Sequence, residues 1–216
     1  MGPGAAGLML VLPLAGAGAA AGLGAAVLTA RLDETGPERP SPILMGGLAA
    51  LLGAAAGAWS VFGPAPIVVT ALLGWSLLLI AAVDARHFWL PDWLTLPLLA
   101  GGLAATALFD RPALMDHLIG AAAGFAVLWG IAALYRRTRG REGLGGGDFR
   151  LLAAAGAWVG WMGLPSVLLW ASVAGLSLVL ARLVLKQPVS AEDRLPFGVF
   201  LALGIWMTWL YGPLGL

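Results

Sequence analysis

The sequence predicts an all-α, polytopic integral membrane protein with about eight transmembrane helices. Three observations lead there. Of 216 residues, 60% are hydrophobic and 11% charged, with a mean hydropathy of +0.92; a water-soluble domain carries roughly 25% charged residues. The apolar residues fall in runs close to the length that crosses hydrocarbon, about 17–25 residues. The charges collect in short clusters where those runs end. One membrane-embedded domain over residues 1–216 accounts for this pattern.

Taken in order, the runs are Gly4–Ala30, Ile43–Phe62, Pro66–Val83, Leu94–Phe109, Leu118–Tyr135, Phe149–Met162, Pro165–Leu185 and Phe197–Gly212, each bounded by Pro, Gly or charge. The fourth and sixth are short, so they tilt little or sit partly in the interface. The first has small residues suited to signal cleavage, but no Lys or Arg precedes it and its apolar run is too long for a signal peptide, so it is expected to be retained. With the N-terminus outside and eight crossings, eleven of the twelve Lys and Arg residues fall on one side and only Arg111 on the other. That bias marks the charged side as cytoplasmic.

Composition also excludes chemistry. There is no cysteine, hence no disulfide, thiolate nucleophile or thiolate metal site. His87 and His117 fall on opposite sides of the membrane, which excludes a two-histidine metal site. No G-x-S-x-G elbow is present. The net charge of +1 gives no sign of a nucleic-acid partner, and no cofactor is predicted. The small-residue pairs Gly53/Gly57, Gly120/Gly124 and Gly156/Gly160 are read as bilayer-facing positions that let helices pack closely.

The acids divide into two groups. Asp33, Glu34 and Glu38, with Glu192 and Asp193, read as solvated loop charges. Asp110 and Asp116 flank Pro112 on the outer rim as helix-end residues, and Glu142 sits among arginines. Asp84 and Asp148 differ. Asp84 follows TALLGWSLLLIAAV and Asp148 precedes FRLLAAAGAW, so both lie at one depth on the cytoplasmic side. A carboxylate at the hydrocarbon edge is costly unless it faces protein or water. Two that face each other cannot both ionise easily, so one keeps its proton while its partner loses it. Such a pair can activate water and protonate a scissile carbonyl with no metal and no covalent intermediate. Gly145, Gly146 and Gly147, just before Asp148, can adopt φ > 0 and lack a Cβ; they read either as substrate-positioning backbone or as a hinge with Asp148 as N-cap.

GGGDFRLLAAAGAWVGW resembles the G-x-G-D-[FY]-[KR]-L-x-[AG] signature of the prepilin peptidases (type IV leader peptidases), which are GxGD membrane aspartyl proteases. VDARHFWLPDWLTLPLLAGGL resembles that family's other catalytic block, and DRLPFGVFLALGIWMTWLYG its closing P-F-G-P segment. By position, the resemblance implies catalytic aspartates at Asp84 and Asp148 and motif glycines at Gly145 and Gly147. Asp92 competes with Asp84 for the first role, but Pro91 ahead of it reads as the start of a helix with Asp92 as N-cap. Arg150 reads as a contact for anionic lipid or a substrate carbonyl, or as an ordinary cytoplasmic helix-end charge.

The resemblance further implies the substrates: prepilin or pseudopilin precursors of pilus and type II secretion systems, cut at the cytoplasmic face of the bacterial inner membrane to release a short basic leader. Two departures stand out. Bifunctional members carry a cysteine-rich zinc segment and methylate the new amine; here residues 31–42 are a short loop with no cysteine, so methyltransferase activity is doubtful. Val199 stands where the family often has proline, a change expected to matter little. Two rival readings remain, a non-catalytic scaffold of a pilus or secretion system and a small proton-coupled transporter. The transporter would need its acids near the bilayer midplane and matching broken helices in two halves.

Overall fold

In the computed structural model, residues 13, 15–24, 26–27, 48–49, 66–140, 145–187 and 195–214 are described. About half of the first apolar run and most of the second lie outside them, as do the loop at 31–42, the acids Asp33, Glu34, Glu38, Glu142, Glu192 and Asp193, and the Gly53/Gly57 pair. Every regular element among the described residues is helical: α1 (Ile67–His87), α2 (Asp92–Phe109), a 3-10 turn (Arg111–Ala113), α3 (Leu114–Arg139), α4 (Gly146–Val184) and α5 (Phe197–Tyr211). Four stretches among the described residues are long and apolar enough to cross a membrane: α1, α2, the 3-10 turn with α3, and α4. The shorter α5 is also apolar.

The chain divides into two compact units, residues 1–82 and 83–216. In the first, the helical stretch at 15–24 meets Ala49 and Trp75. A Cβ on Gly18 would lie 2.2 Å from the Ala49 carbonyl oxygen, and the Trp75 indole N–H donates to that oxygen at 3.0 Å. Leu78, Leu79 and Ala82 pack on the buried Ala26.

The second unit is organised around α4. Hydrocarbon is as apolar as leucine, so burying apolar side chains among helices gains little there; close backbone approach and interhelical hydrogen bonds must hold the helices together. Both are present. A Cβ on Gly124 would fall 2.3 Å from the Leu152 oxygen, and one on Gly156 would fall 2.1 Å from the Gly120 oxygen. This register runs α3 antiparallel to the start of α4, with backbones touching. Gly120, Gly124 and Gly156 are thus buried between helices and do not face the bilayer as the sequence reading had it. On the other side, a Cβ on Gly102 would lie 2.9 Å from the Ala157 oxygen, and the Trp158 indole N–H donates to the Leu98 oxygen at 2.8 Å. Residues 151–158 are all buried.

At Gly160 the backbone leaves the helix, with φ 69° and ψ 174°. Only glycine adopts that combination readily. The first arm runs parallel to α5: Trp158 meets Trp209 edge-on at 5.4 Å between ring centres, near α5's far end. Beyond the break the register reverses. A Cβ on Gly163 would touch Thr208, one on Gly204 the Val167 oxygen, and one on Gly175 the Phe200 ring. The 39-residue element is therefore two arms running in opposite senses, matching the sixth and seventh apolar runs. His117 stands at the turn, its Nδ1 at 2.9 Å from the Ala157 oxygen and 3.1 Å from Thr106 Oγ1. That carbonyl would otherwise bond the N–H four residues on, which the break removes.

Candidate active site

Asp84 lies inside the last turn of α1, not beyond its end: the helix continues to His87. It closes there because Phe88 turns left-handed at φ 50°, with its N–H donating to the Asp84 carbonyl oxygen at 3.0 Å. The Asp84 side chain is buried at 4% exposure. Its carboxyl meets the start of α5. Val199 N–H donates to Asp84 Oδ2 at 3.2 Å, and the Gly198 N–H faces the same carboxyl. Pro196 precedes α5 and offers no side-chain cap, so the free amides of the first turn take theirs from Asp84, on a distant helix.

Asp148 is the third residue of α4. The cap is Gly145, whose oxygen accepts the Asp148 N–H at 3.1 Å; Asp148 is therefore not the N-cap. Its carboxyl turns back toward the Gly145 backbone, with Oδ2 at 3.5 Å from where a Gly145 Cβ would be. That is one half of a capping box, with an aspartate in the usual Glu position; the glycine at the cap has no side chain to supply the other half. The partly exposed Asp148 carboxyl is close enough to Asp84 for the two charges to act on each other.

Leu90 joins the two halves of the site. It is buried at 3% exposure. A Cβ on Gly147 would sit 2.6 Å from Leu90 Cβ, and one on Gly198 would sit 2.8 Å from Leu90 Cδ1 and 2.8 Å from Asp84 Oδ2. Gly147 therefore serves to admit Leu90. Gly145 and Gly146 are exposed, and a Cβ on Gly146 would meet nothing within 4 Å. None of the three has positive φ; among described glycines that conformation belongs to Gly140, Gly160 and Gly212.

Asp92 is the first residue of α2, after Pro91 at the cap position, so it is not the N-cap either. It forms an ion pair with Arg150, the fifth residue of α4. Both are substantially exposed, and the pair ties the start of α2 to the start of α4. Phe149 is held against Phe125 of α3, edge-on at 6.2 Å.

Sequence reasoning brought Asp84 and Asp148 to one place but passed over Leu90 and Gly198, and gave Val199 no contact with Asp84. One signal was available: Pro196-Phe197-Gly198 opens an apolar helix with no Ser, Thr, Asp or Asn to cap it, so its first amides need an acceptor from elsewhere. At position 199, where the family often has proline, the valine N–H donates to Asp84, a donor that proline lacks.

Residues 71–180 match the type IV leader peptidase family. Over 141 residues the chain is 43% identical to the prepilin leader peptidase/N-methyltransferase of Aeromonas hydrophila, covering 65% of this chain and 48% of that protein. It is 44% identical over 159 residues to the protein of the same description from Burkholderia pseudomallei (strain K96243), covering 73% and 51%. Against that of Pseudomonas aeruginosa it is 43% identical over 141 residues. The chain spans about half the length of these relatives. No solved structure matches it.

Proposed function

Since the chain belongs to the type IV leader peptidase family, we propose that it is a membrane aspartyl endopeptidase removing the short basic leader from prepilin or pseudopilin precursors, with Asp84 and Asp148 as the reacting pair. The observation that carries this reading is the meeting of the two acids at the starts of α4 and α5, across the last turn of α1.

The pair works with one proton between its members. The ionised carboxyl takes a proton from water as the water oxygen bonds to the scissile carbonyl carbon. The protonated carboxyl gives its proton to the carbonyl oxygen. The resulting gem-diol collapses, the C–N bond breaks, and the amine leaves with the proton taken from water, while the diol returns a proton to the other acid. Leu90, Gly147 and Gly198 hold the carboxyls in register, and the exposed backbone at Gly145 and Gly146 is where a substrate strand can come close to Asp148.

We read the chain as eight crossings in the bacterial inner membrane, N-terminus outside, with the acids facing the cytoplasm. A proton-coupled transporter of the kind considered would need matching broken helices in two halves, whereas the non-helical break among the described helices is at Gly160 in α4. The relatives' printed description includes N-methyltransferase; with no cysteine in the chain we assign it the peptidase step alone.

The test is cleavage of a prepilin peptide, with its basic leader and apolar stem, by protein purified in detergent. Asp84→Asn and Asp148→Asn should each lower the rate by roughly 100- to 10,000-fold. Native-level cleavage by either variant would remove that residue from the pair.

A further inference from the structure

The two acids are held differently. Asp148 is partly exposed and turns back on its own helix cap. Asp84 is buried and receives N–H groups from a separate element, the first turn of α5. We propose that the Val199 amide is a positioning group that keeps Asp84 as the ionised, water-activating member of the pair, which makes Asp148 the proton donor to the scissile carbonyl. This rests on the peptidase reading above and divides its two roles.

The geometry is specific. Val199 is the third residue of α5, where a helix presents an amide with no acceptor four residues back. Its N–H lies 3.2 Å from Asp84 Oδ2 and also 3.2 Å from the Pro196 oxygen, a shared bond of the kind common at helix ends. Hydrogen bonds to a charged acceptor are roughly twice as strong as those between neutral groups, so this contact favours the carboxylate over the acid. Among the charged groups on the packed elements, the charge of Asp148 in α4 meets that of Asp84. Asp92 of α2 and Arg150 of α4 neutralise each other. Arg86 and His87 follow Asp84 on its own helix, and α5 has no charged residue.

Val199→Pro deletes this N–H at a first-turn position, where proline is tolerated because no acceptor lies four residues back, and it gives up the shared contact with the Pro196 oxygen as well. Gly198 ahead of it, lacking a Cβ, eases the restriction proline places on its predecessor. The readout is kcat/KM against pH for prepilin-peptide cleavage, in native protein, Val199→Pro and Val199→Ala. Both acids are protonated at the acidic limit of activity and both ionised at the alkaline limit. Destabilising the Asp84 carboxylate then moves only the acidic limb if the working form carries its proton on Asp148, and only the alkaline limb if it carries it on Asp84.

The expected result is an acidic limb moved to higher pH by about one unit in Val199→Pro, a roughly tenfold loss along that limb, with the alkaline limb in place. Val199→Ala, which keeps the N–H, should leave the acidic limb at the native pH. An unmoved acidic limb in Val199→Pro, or a moved alkaline one, overturns the proposal. If Val199→Pro does not fold, the native protein labelled with carboxyl-13C aspartate decides, its signals identified with Asp84→Asn and Asp148→Asn. Between the two limbs Asp84 should show a carboxylate shift and Asp148 an acid shift; the reverse overturns the proposal. Failure of the peptidase reading looks different: cleavage would then survive Asp84→Asn or Asp148→Asn.

Discussion

Leu90 occupies the space that a side chain on Gly147 would need, its Cβ 2.6 Å from that position. Gly147→Ala should therefore wedge the link before α2 away from the first turn of α4. The cost is about 1–3 kcal/mol, typical of overpacking, and cleavage falls because Asp148 is the next residue. The neighbouring Gly146, helical with nothing within 4 Å of its missing Cβ, is the control: Gly146→Ala should hold or raise thermal stability by roughly 0.5–1 kcal/mol. Thermal unfolding in detergent alongside the cleavage assay checks both.

Gly198→Ala places a methyl 2.8 Å from both Asp84 Oδ2 and Leu90 Cδ1. Neither neighbour can retreat easily, since both are buried. The carboxyl must swing away, and a displacement near 1 Å in a catalytic group costs about 100-fold. The expected signature is a loss in kcat larger than any change in KM.

The Asp92–Arg150 pair ties two helix starts together but is exposed on both sides, at 57% and 36% of side-chain surface. Pairs of that kind are worth about 0.2–1 kcal/mol. Arg150→Gln and Asp92→Asn should each slow cleavage by only about one- to fivefold if the pair merely aligns α2 with α4, and the charge-reversed double variant should recover part of that. A loss of roughly 100-fold or more in Asp92→Asn, of the size expected for a general acid or base, would instead make Asp92 the reacting acid.

Gly160→Ala tests the reversal of α4. There is room for the methyl, the nearest atoms being the His117 ring at 3.6 Å, so any effect is conformational. At φ 69° and ψ 174° the strain on a non-glycine residue is about 1–3 kcal/mol. A lowered unfolding temperature with an unchanged pH profile is expected.

Much of the second unit was legible in the chain itself. The run Leu94–Phe109 anticipated α2 to within two residues, because Pro91 and Asp110 punctuate it. The last run anticipated α5, and the sixth and seventh the two arms of α4. Asp84 and Asp148 could be paired because each closes or opens an apolar run. Contacts between distant positions were not legible. Nothing local to GGGD says that Gly147 is small on account of Leu90, so the glycines were credited with positive φ that they do not adopt. Asp92 read as a cap because its partner Arg150 lies 58 residues away. Glycine pairs spaced by four look alike whether they face lipid or another helix, and only packing tells them apart.

The antiparallel register of α3 against α4 acts as a plumb line. With Gly124 opposite Leu152, Asp148 stands level with the middle of α3, near Leu128. The helix then climbs a further 11 residues or so to Arg139, about 16 Å at 1.5 Å per residue, past Arg136 and Arg137. If the proposed function holds, a precursor cut beside Asp148 has to bridge that drop with its leader. In extended form about five residues suffice, at roughly 3.3 Å each, while a coiled stretch would need twice that. The stem is thus best met with its helix already unwound at the cut, so that substrates with a stiff junction should be poor ones.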